Sequence, residues 1–230
     1  MITVIQPGLY TTVQDQGRFG FYGVGFPPSG SMDLYSSAVA NILVGNPAHA
    51  AVLETTFVGP TLEFERNGRI AVTGATADIT IDGVSIQPWT SIEIKKGQVL
   101  AFGGISAGVR NYLAISGGIG VQPVMGSRST YVASNLGGVE GRALLPGDRL
   151  EVLADSESHT NRNRFETPEY LRVSPLQHHV IRIVPGLCNY LLDSKSQQLL
   201  TAETFTVSTE ANRTGYRLTG HQLNFIEREQ

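Results

Sequence analysis

Short apolar runs separated by glycine-containing turns fill most of the first 153 residues, a pattern typical of antiparallel sheets. The clearest pair of runs, residues 79–81 and 84–86, flanks Asp82-Gly83, a dipeptide that favours the tight type I′ turn of a hairpin. Residues 112–115 are apolar throughout, which indicates a strand buried on both faces, whereas other runs alternate between apolar and polar positions. A sheet closed into a barrel accommodates both kinds of strand, so the pattern predicts a mainly β domain.

One segment departs from the strand pattern and predicts a short helix. Its larger apolar residues recur every four positions: Leu34, Ala38 and Ile42. Ser31 is the expected N-cap, Asp33 lies near the positive end of the helix dipole, and Gly45-Asn46-Pro47 ends the helix. Small residues at positions 36–38 and 40 favour close packing against a sheet. We therefore expect a structural helix that plugs one end of the barrel.

The rest of the chain is less regular. Residues 154–170 are polar and lack hydrophobic periodicity, which predicts a linker between a domain at 1–153 and a shorter segment at 171–230. The elements expected after the linker are a strand at 179–184, a weak helix at 190–200 and a strand around 204–207. So short a segment buries little surface by itself, so we expect it to lean on the first domain or on further chain.

Composition excludes several classes of protein. Cys188 is the single cysteine, so the chain has neither an internal disulfide nor a multi-cysteine metal site, and we expect this residue to fill the core. The formal net charge of −3 gives no general attraction to nucleic acid or to anionic membranes. The first residues lack a basic segment followed by an apolar one, and nowhere do about 18 apolar residues follow one another. These features predict a cytoplasmic protein that binds neither nucleic acid nor membrane.

A glycine-flanked segment near the N-terminus carries the first candidate site. Gln14, Asp15 and Arg18 place an amide, a carboxylate and a guanidinium beside the turn that contains Ser29. These groups would hold an amide or lactam of a small-molecule substrate, with an internal Asp–Arg pair that fixes a loop as the alternative. Ser29 lacks the strand–turn–helix context of a nucleophile elbow, so we expect it to contact substrate rather than to attack it.

A second candidate is the run Arg128-Ser129-Thr130, which Ser127 precedes. Hydroxyl groups around a guanidinium suit the oxygens of a carboxylate or phosphate. The alternative is a polar turn without a ligand.

A third candidate lies near the C-terminus, where Glu210, Asn212 and Arg213 follow a predicted strand and precede a glycine. Their side chains would face a cleft at the edge of the second segment. Ion pairing within that segment is the alternative.

The sequence lacks the patterns of several cofactor sites. Its five histidines show no metal-ligand spacing, and neither a Walker loop nor a strand followed by Gly-x-Gly-x-x-Gly is present. No lysine adjoins a methionine, as the attachment site of biotin would require. We therefore expect that this chain by itself binds no cofactor or metal. The sequence does not identify a catalytic residue.

Several motifs occur in an order that points to a family. They are residues 7–18 (PGLYTTVQDQGR), 25–33 (GFPPSGSMD), 40–46 (ANILVGN), 53–56 (LETT), 59–60 (GP), 72–75 (VTGA), 126–130 (GSRST) and 212–218 (NRTGYRL). Together they resemble the KipA family, a biotin-dependent carboxyltransferase-like family. It includes the C subunit of bacterial 5-oxoprolinase and allophanate hydrolase subunit two, and it resembles the carboxyltransferase part of urea carboxylase.

The resemblance implies both a fold and a function. The fold would be a cyclophilin-like β-barrel with one or two short helices, followed by a related second lobe that is incomplete here, since relatives continue beyond Gln230. With two partners, a KipI-like protein and a LamB/YcsF-like protein, the chain would use ATP to open 5-oxoproline to glutamate. The substrate cleft would lie between the lobes, so we do not expect the chain to be active alone.

Two other roles stay open within the same family. The chain would act as an antagonist that binds the KipI kinase inhibitor, or as a carboxyltransferase-like domain that uses carboxybiotin from another protein. An incomplete lobe would also expose strand edges and apolar surface, which favours a homo-oligomer.

Overall fold

The computed structural model describes residues 1–154, 165–173 and 180–226. The chain divides into two compact units, Met1–Pro175 and Leu176–Gln230. Within the described ranges, no helix combines the length and the apolar character needed to cross a membrane.

The first unit is built mainly from strands, as the sequence predicts. Its described strands are β1 (Ile2–Gln6), β2 (Tyr10–Gln14), β3 (Val52–Thr56), β4 (Thr61–Phe64), β5 (Gly68–Ile81), β6 (Val84–Ser85), β7 (Ile92–Ile94), β8 (Val99–Ile115) and β9 (Arg149–Leu150). One α-helix, α1, spans Leu34–Leu43. The prediction of a mainly β fold is confirmed, and the sheet curls into a half-barrel.

All of these strands belong to one antiparallel sheet. Its order is β2-β3-β8-β4-β1-β9, and β5 pairs with β8, β6 and β7. Strands β5 and β8 pair from Ile70 opposite Ile115 to Ile81 opposite Leu100, with register shifts that bend the ladder. The first shift follows Gly74, whose φ is +98° and where a Cβ atom would lie 2.4 Å from the backbone oxygen of Arg110. Only glycine fits this bend.

The hairpin at Asp82-Gly83 is confirmed. Strands β5 and β6 pair with Ile81 opposite Val84. Asp82 and Gly83 have φ angles of 51° and 80°, the two positive values that a type I′ turn requires.

One face of the curled sheet carries the main hydrophobic core. Its fully buried members come from most of the strands and include Ile2, Leu53, Leu62, Ile70, Leu100 and Leu113. A second, smaller cluster lies on the other face, where Val52, Ala71 and Ala114 pack against α1. Strands β3, β5 and β8 are therefore buried on both faces, as the continuous apolar run at 112–115 predicts.

Helix α1 is confirmed, but its predicted N-cap is wrong. The N-cap is Asp33 rather than Ser31, because the Asp33 carboxylate accepts the backbone N–H of Ser36 at 3.0 Å. Leu34 and Ile42, two of the residues that form the four-residue repeat, are 51% and 61% exposed.

The packed face of α1 consists of smaller or polar residues: Ser36, Ser37, Ala40, Asn41 and Leu43. The Thr73 hydroxyl donates to the backbone oxygen of Ser36 at 2.7 Å, which requires a close approach between helix and sheet. Close packing by small residues, as the sequence predicts, therefore orients the helix and leaves Leu34 and Ile42 exposed.

Residues 165–167, which the sequence analysis placed in a linker, attach to the first unit. The backbone N–H of Ser91 donates to the carbonyl oxygen of Phe165 at 2.8 Å, and the backbone N–H of Thr167 donates to the carbonyl oxygen of Trp89 at 2.9 Å. The compact unit therefore extends past residue 153, where the predicted domain ended.

The second unit contains one helix and one short hairpin among its described residues. Helix α2 spans Ser194–Ala202, and β10 (Thr206–Val207) pairs with β11 (Leu218–Thr219). The expected helix thus begins later than residue 190, and β10 confirms the strand expected around 204–207.

Two expectations for this unit are wrong. Residues 180–184 form no strand, and their backbone makes no ladder hydrogen bond with other described residues; Val180 is 98% exposed. The first residue of the predicted strand, His179, lies outside the described residues. Cys188 is exposed rather than in the core, because it precedes a short 3₁₀ turn at Asn189–Leu191 on the surface.

We expect Leu113→Ala to lower the free energy of unfolding by about 2–5 kcal/mol, because Leu113 is fully buried in the core between β3 and β5. Val84→Ala is the matched control: its side chain is 70% exposed, so the change should stay within about 0.5 kcal/mol. Urea-induced unfolding measures both. Equal losses for the two variants would contradict this placement of the core.

Candidate functional site

The first two predicted site segments meet at the end of β2. The backbone N–H and the hydroxyl of Thr130 both donate to the Val13 oxygen, each at 2.9 Å. Asp15 follows β2 directly, so its side chain lies beside the loop at 127–130. Residues more than 100 positions apart in the sequence thereby form one polar cluster.

Asp15 is the centre of this cluster. Its Oδ1 accepts the hydroxyl of Ser127 at 2.7 Å, the hydroxyl of Ser129 at 2.5 Å and the backbone N–H of Gly17 at 2.8 Å. Its Oδ2 accepts the backbone N–H of Arg128 at 2.6 Å. One carboxylate therefore fixes both its own turn and the loop at 127–130.

These hydrogen bonds keep Asp15 ionised. Burial by itself would raise the pKa of Asp15, but the donors from Ser127, Ser129, Arg128 and Gly17 outweigh it and the pKa is lowered. A carboxylate with a lowered pKa and this many donors is a poor proton acceptor near neutral pH. Asp15 thus positions the loop. The hydroxyls of Ser127 and Ser129 hold Asp15, and that of Thr130 donates to Val13, so ligand contact by these residues stays a prediction.

Arg18 is almost completely buried, with 1% of its surface exposed. Its Nη2 donates to the Ser129 oxygen, whereas Nε and Nη1 have no hydrogen-bond partner among the described residues. Burial lowers the pKa of Arg18, and the charge of Asp15 partly offsets this effect. Asp15 and Arg18 therefore interact as nearby opposite charges. The guanidinium donates its hydrogen bond to the backbone oxygen of Ser129.

Gly137 allows this burial, because it lies against the guanidinium of Arg18. Its φ is +65°, and a Cβ atom there would lie 2.2 Å from the Ser129 oxygen and 2.8 Å from Arg18 Nη2. Any side chain at this position would displace the loop or the arginine.

Gln14 and Ser29 complete the cluster. Gln14 Nε2 donates to the Thr12 hydroxyl at 2.9 Å and to the Thr130 oxygen at 3.2 Å, and the Ser29 hydroxyl donates to the same oxygen at 3.2 Å. Gln14 Oε1 is buried without a hydrogen-bond partner among the described residues. Seven of the ten predicted site residues, at positions 14, 15, 18, 29 and 128–130, therefore lie together.

The three predicted residues near the C-terminus belong to the second unit. Glu210 lies 3.8 Å from Arg217, which agrees with the alternative of ion pairing within the segment. Asn212 Oδ1 accepts the N–H of Thr214 at 2.8 Å, as in a polar turn. That Glu210, Asn212 and Arg213 contact a substrate stays a prediction.

Sequence reasoning missed a second buried polar group beneath the start of α1. Glu54, 2% exposed, accepts the backbone N–H of Met32 at 2.8 Å and lies 3.6 Å from Arg110 Nε. The Tyr112 hydroxyl accepts the N–H of Asp33 at 2.8 Å, and burial raises the pKa of Tyr112. A glutamate inside an otherwise uncharged strand is the signal that would have identified this group.

A separate cleft of ≈ 410 Å³ lies between the outer face of α1 and residues 165–171. Its walls are mainly apolar and include Val39, Ile42 and Phe165, with Arg69 and Glu166 among the lining residues. It does not include the predicted site residues. Among the described residues, no group of three or more His, Cys, Asp or Glu side chains has the spacing to hold a metal ion.

Comparison with known proteins identifies the class of this protein. Residues 24–229 match the family described as carboxyltransferase domain, subdomain A and B. The chain belongs to this family, as its motifs predicted.

Individual relatives narrow the comparison. The chain is 39% identical to the C subunit of 5-oxoprolinase from Escherichia coli over 97% of its length, and covers 70% of that protein. It is 42% identical to urea amidolyase of Saccharomyces cerevisiae over 68% of its length, but covers only 9% of that protein. The crystal structure of Kluyveromyces lactis urea carboxylase superposes with a TM-score of 0.86 and 33% identity, over 98% of this chain and 21% of the other.

We expect Asp15→Asn to lower the free energy of unfolding at neutral pH by about 1–3 kcal/mol, because the hydrogen bonds to a charged acceptor are weakened. Since the pKa of Asp15 is lowered on folding, its contribution is complete above the pKa of an unfolded aspartate and is lost as the pH falls through the folded pKa. The gap between wild type and variant should therefore shrink in acid, which urea unfolding at several pH values measures.

Asp78→Asn makes the same chemical change at an exposed position of β5 and serves as the control. It should change the free energy of unfolding by less than about 0.5 kcal/mol. A gap between wild type and Asp15→Asn that stays constant down to strongly acidic pH would contradict the role given to the charge of Asp15.

Proposed function

We propose that this chain is the C subunit of an ATP-dependent 5-oxoprolinase, which opens the lactam of 5-oxoproline to give glutamate. The observation that carries the proposal is the 39% identity to a 5-oxoprolinase C subunit over 97% of the chain. The proposed partners are the KipI-like and LamB/YcsF-like subunits of the same enzyme. The proposed location is the cytoplasm, where an exposed cysteine such as Cys188 stays reduced.

The polar cluster at the end of β2 suits the positioning of a small polar substrate. Its loop is fixed by the Asp15 carboxylate, so donors on that loop are held in place before a substrate arrives. Arg18 places a positive charge next to this loop. Positive charge would stabilise the negative charge that develops on the lactam oxygen as the ring opens.

The use of ATP falls to the partner proteins in this proposal. The sequence has no Walker loop, and no dinucleotide-binding glycine motif follows a strand. This chain would bind and orient the substrate, while the phosphoryl group is supplied by an ATP site of the complex.

A second candidate function is carboxyl transfer from carboxybiotin. The specific observation in its favour is the TM-score of 0.86 to a urea carboxylase structure, together with the family's description as a carboxyltransferase domain. A fold hosts many reactions, so this likeness alone does not select between the two functions. Activity that depends on a biotinylated protein and bicarbonate would favour this candidate.

We expect the 230-residue chain, coexpressed with the two proposed partners, to yield a complex that forms glutamate from 5-oxoproline only when ATP is present. Glutamate formation and ADP release should rise together, because the hydrolysis of ATP drives the opening of the lactam. Complexes that omit each of the three proteins in turn are the controls, and each should lose turnover.

Two outcomes would count against this function. A stable complex of all three proteins that hydrolyses no 5-oxoproline would reject it. Full turnover by the two partners without this chain would show that the chain is not part of the catalytic unit.

A further inference from the structure

The backbone of Arg128 is held from both sides. Its N–H donates to Asp15 Oδ2 at 2.6 Å, and its carbonyl oxygen accepts the N–H of Gly138 at 3.0 Å. The Asp15 carboxylate is itself fixed by Ser127 and Ser129. The Cα atom of Arg128 therefore has a defined position, in contrast to an arginine on a free loop.

The side chain of Arg128 is held at its base but has free donors at its end. Its Nε donates to the Val121 oxygen at 2.9 Å, which fixes the plane of the guanidinium. Its Nη1 and Nη2 make no hydrogen bond or ion pair with the described residues, and the residue is half-buried. An oriented guanidinium with two free nitrogens has the geometry that binds a carboxylate through two parallel hydrogen bonds.

The charges of the cluster favour an anion at this position. Asp15 is the carboxylate of the cluster, and its charge acts on the buried cation of Arg18. Asp15 accepts the backbone N–H of Arg128, and the guanidinium of Arg128 has no carboxylate partner among the described residues. Its positive charge is therefore not neutralised within the cluster. A half-buried excess charge is stabilised by a ligand of opposite sign.

We infer that Arg128 is a specificity-determining residue that binds the carboxylate of the substrate. The inference rests on the proposed function, because 5-oxoproline carries a carboxylate next to its lactam, whereas urea is uncharged. It assigns the site to small cyclic amides that bear a carboxylate. Arg128 would select the substrate, and Asp15 would position Arg128 through its backbone.

The test compares 5-oxoproline with 2-pyrrolidinone, which has the same lactam ring without the carboxylate. In the complex of the full chain with its partners, Arg128→Gln should raise the KM for 5-oxoproline about 10- to 100-fold, with a smaller change in kcat. Turnover of 2-pyrrolidinone should be weak and unaffected by the variant. Arg128→Lys keeps the positive charge but loses the two parallel N–H donors of the guanidinium, so its KM should lie between those of wild type and Arg128→Gln.

Arg149→Gln is the matched control. Arg149 lies in strand β9 and pairs with Glu65, and within the described part of the chain it forms no hydrogen bond or ion pair with the residues of the polar cluster. Loss of its charge should therefore leave the KM unchanged. Equal KM values for wild type and Arg128→Gln would overturn the inference. If both Arg128 variants fail to fold, the wild-type complex still tests the inference: affinity for 5-oxoproline less than about tenfold higher than for 2-pyrrolidinone would overturn it.

Failure of the proposed function is distinguishable from failure of this inference. If the wild-type complex turns over no 5-oxoproline, calorimetric titration of the 230-residue chain with 5-oxoproline, glutamate and 2-pyrrolidinone isolates the binding step. Binding of the two carboxylates that Arg128→Gln abolishes would keep the carboxylate site while rejecting the reaction. Absence of carboxylate binding by the wild-type chain, or binding that the variant retains, would overturn the inference.

Discussion

The pairing of β5 with β8 is the constraint on which the rest of the first unit depends. These strands, of 14 and 17 residues, are the two longest. One end of β8 also pairs with β3 and the other end with β4, so a single strand joins both parts of the sheet. The bend that this requires occurs beside Gly74, where the backbone of Arg110 leaves no room for a side chain. The curled sheet then encloses its apolar core on one face and receives α1 on the other.

The candidate site follows from this arrangement. Strand β3, held by β8, pairs along its whole length with β2, so Asp15, the first residue after β2, is carried on a rigid element. Its hydrogen bonds extend that rigidity to the loop at 127–130, which suits the binding of a small substrate. Asp15 and the serines of this loop support the site, whereas Arg128 extends half-buried from it. The likeness to both 5-oxoprolinase and urea amidolyase agrees with the general rule that one fold serves different substrates.

Local patterns in the sequence were sufficient wherever the determining interactions are themselves local. The Asp82-Gly83 hairpin, the mainly β fold and the existence of α1 depend on the conformational preferences of a few neighbouring residues, and all were predictable. The ordered motifs also identified the family, because their residue order is specific.

The tertiary structure alone decided the properties that depend on contacts between residues distant in sequence. The small residues of α1 predicted close packing, but the contact between Thr73 and Ser36 that fixes the helix on the sheet joins residues distant in sequence. The strand expected at 179–184 is absent from its described residues, since a strand needs a partner that the local pattern cannot supply. The roles of Asp15 and Arg128 likewise depend on contacts between segments more than 100 residues apart, and a linear pattern carries no information about which donors reach which acceptors.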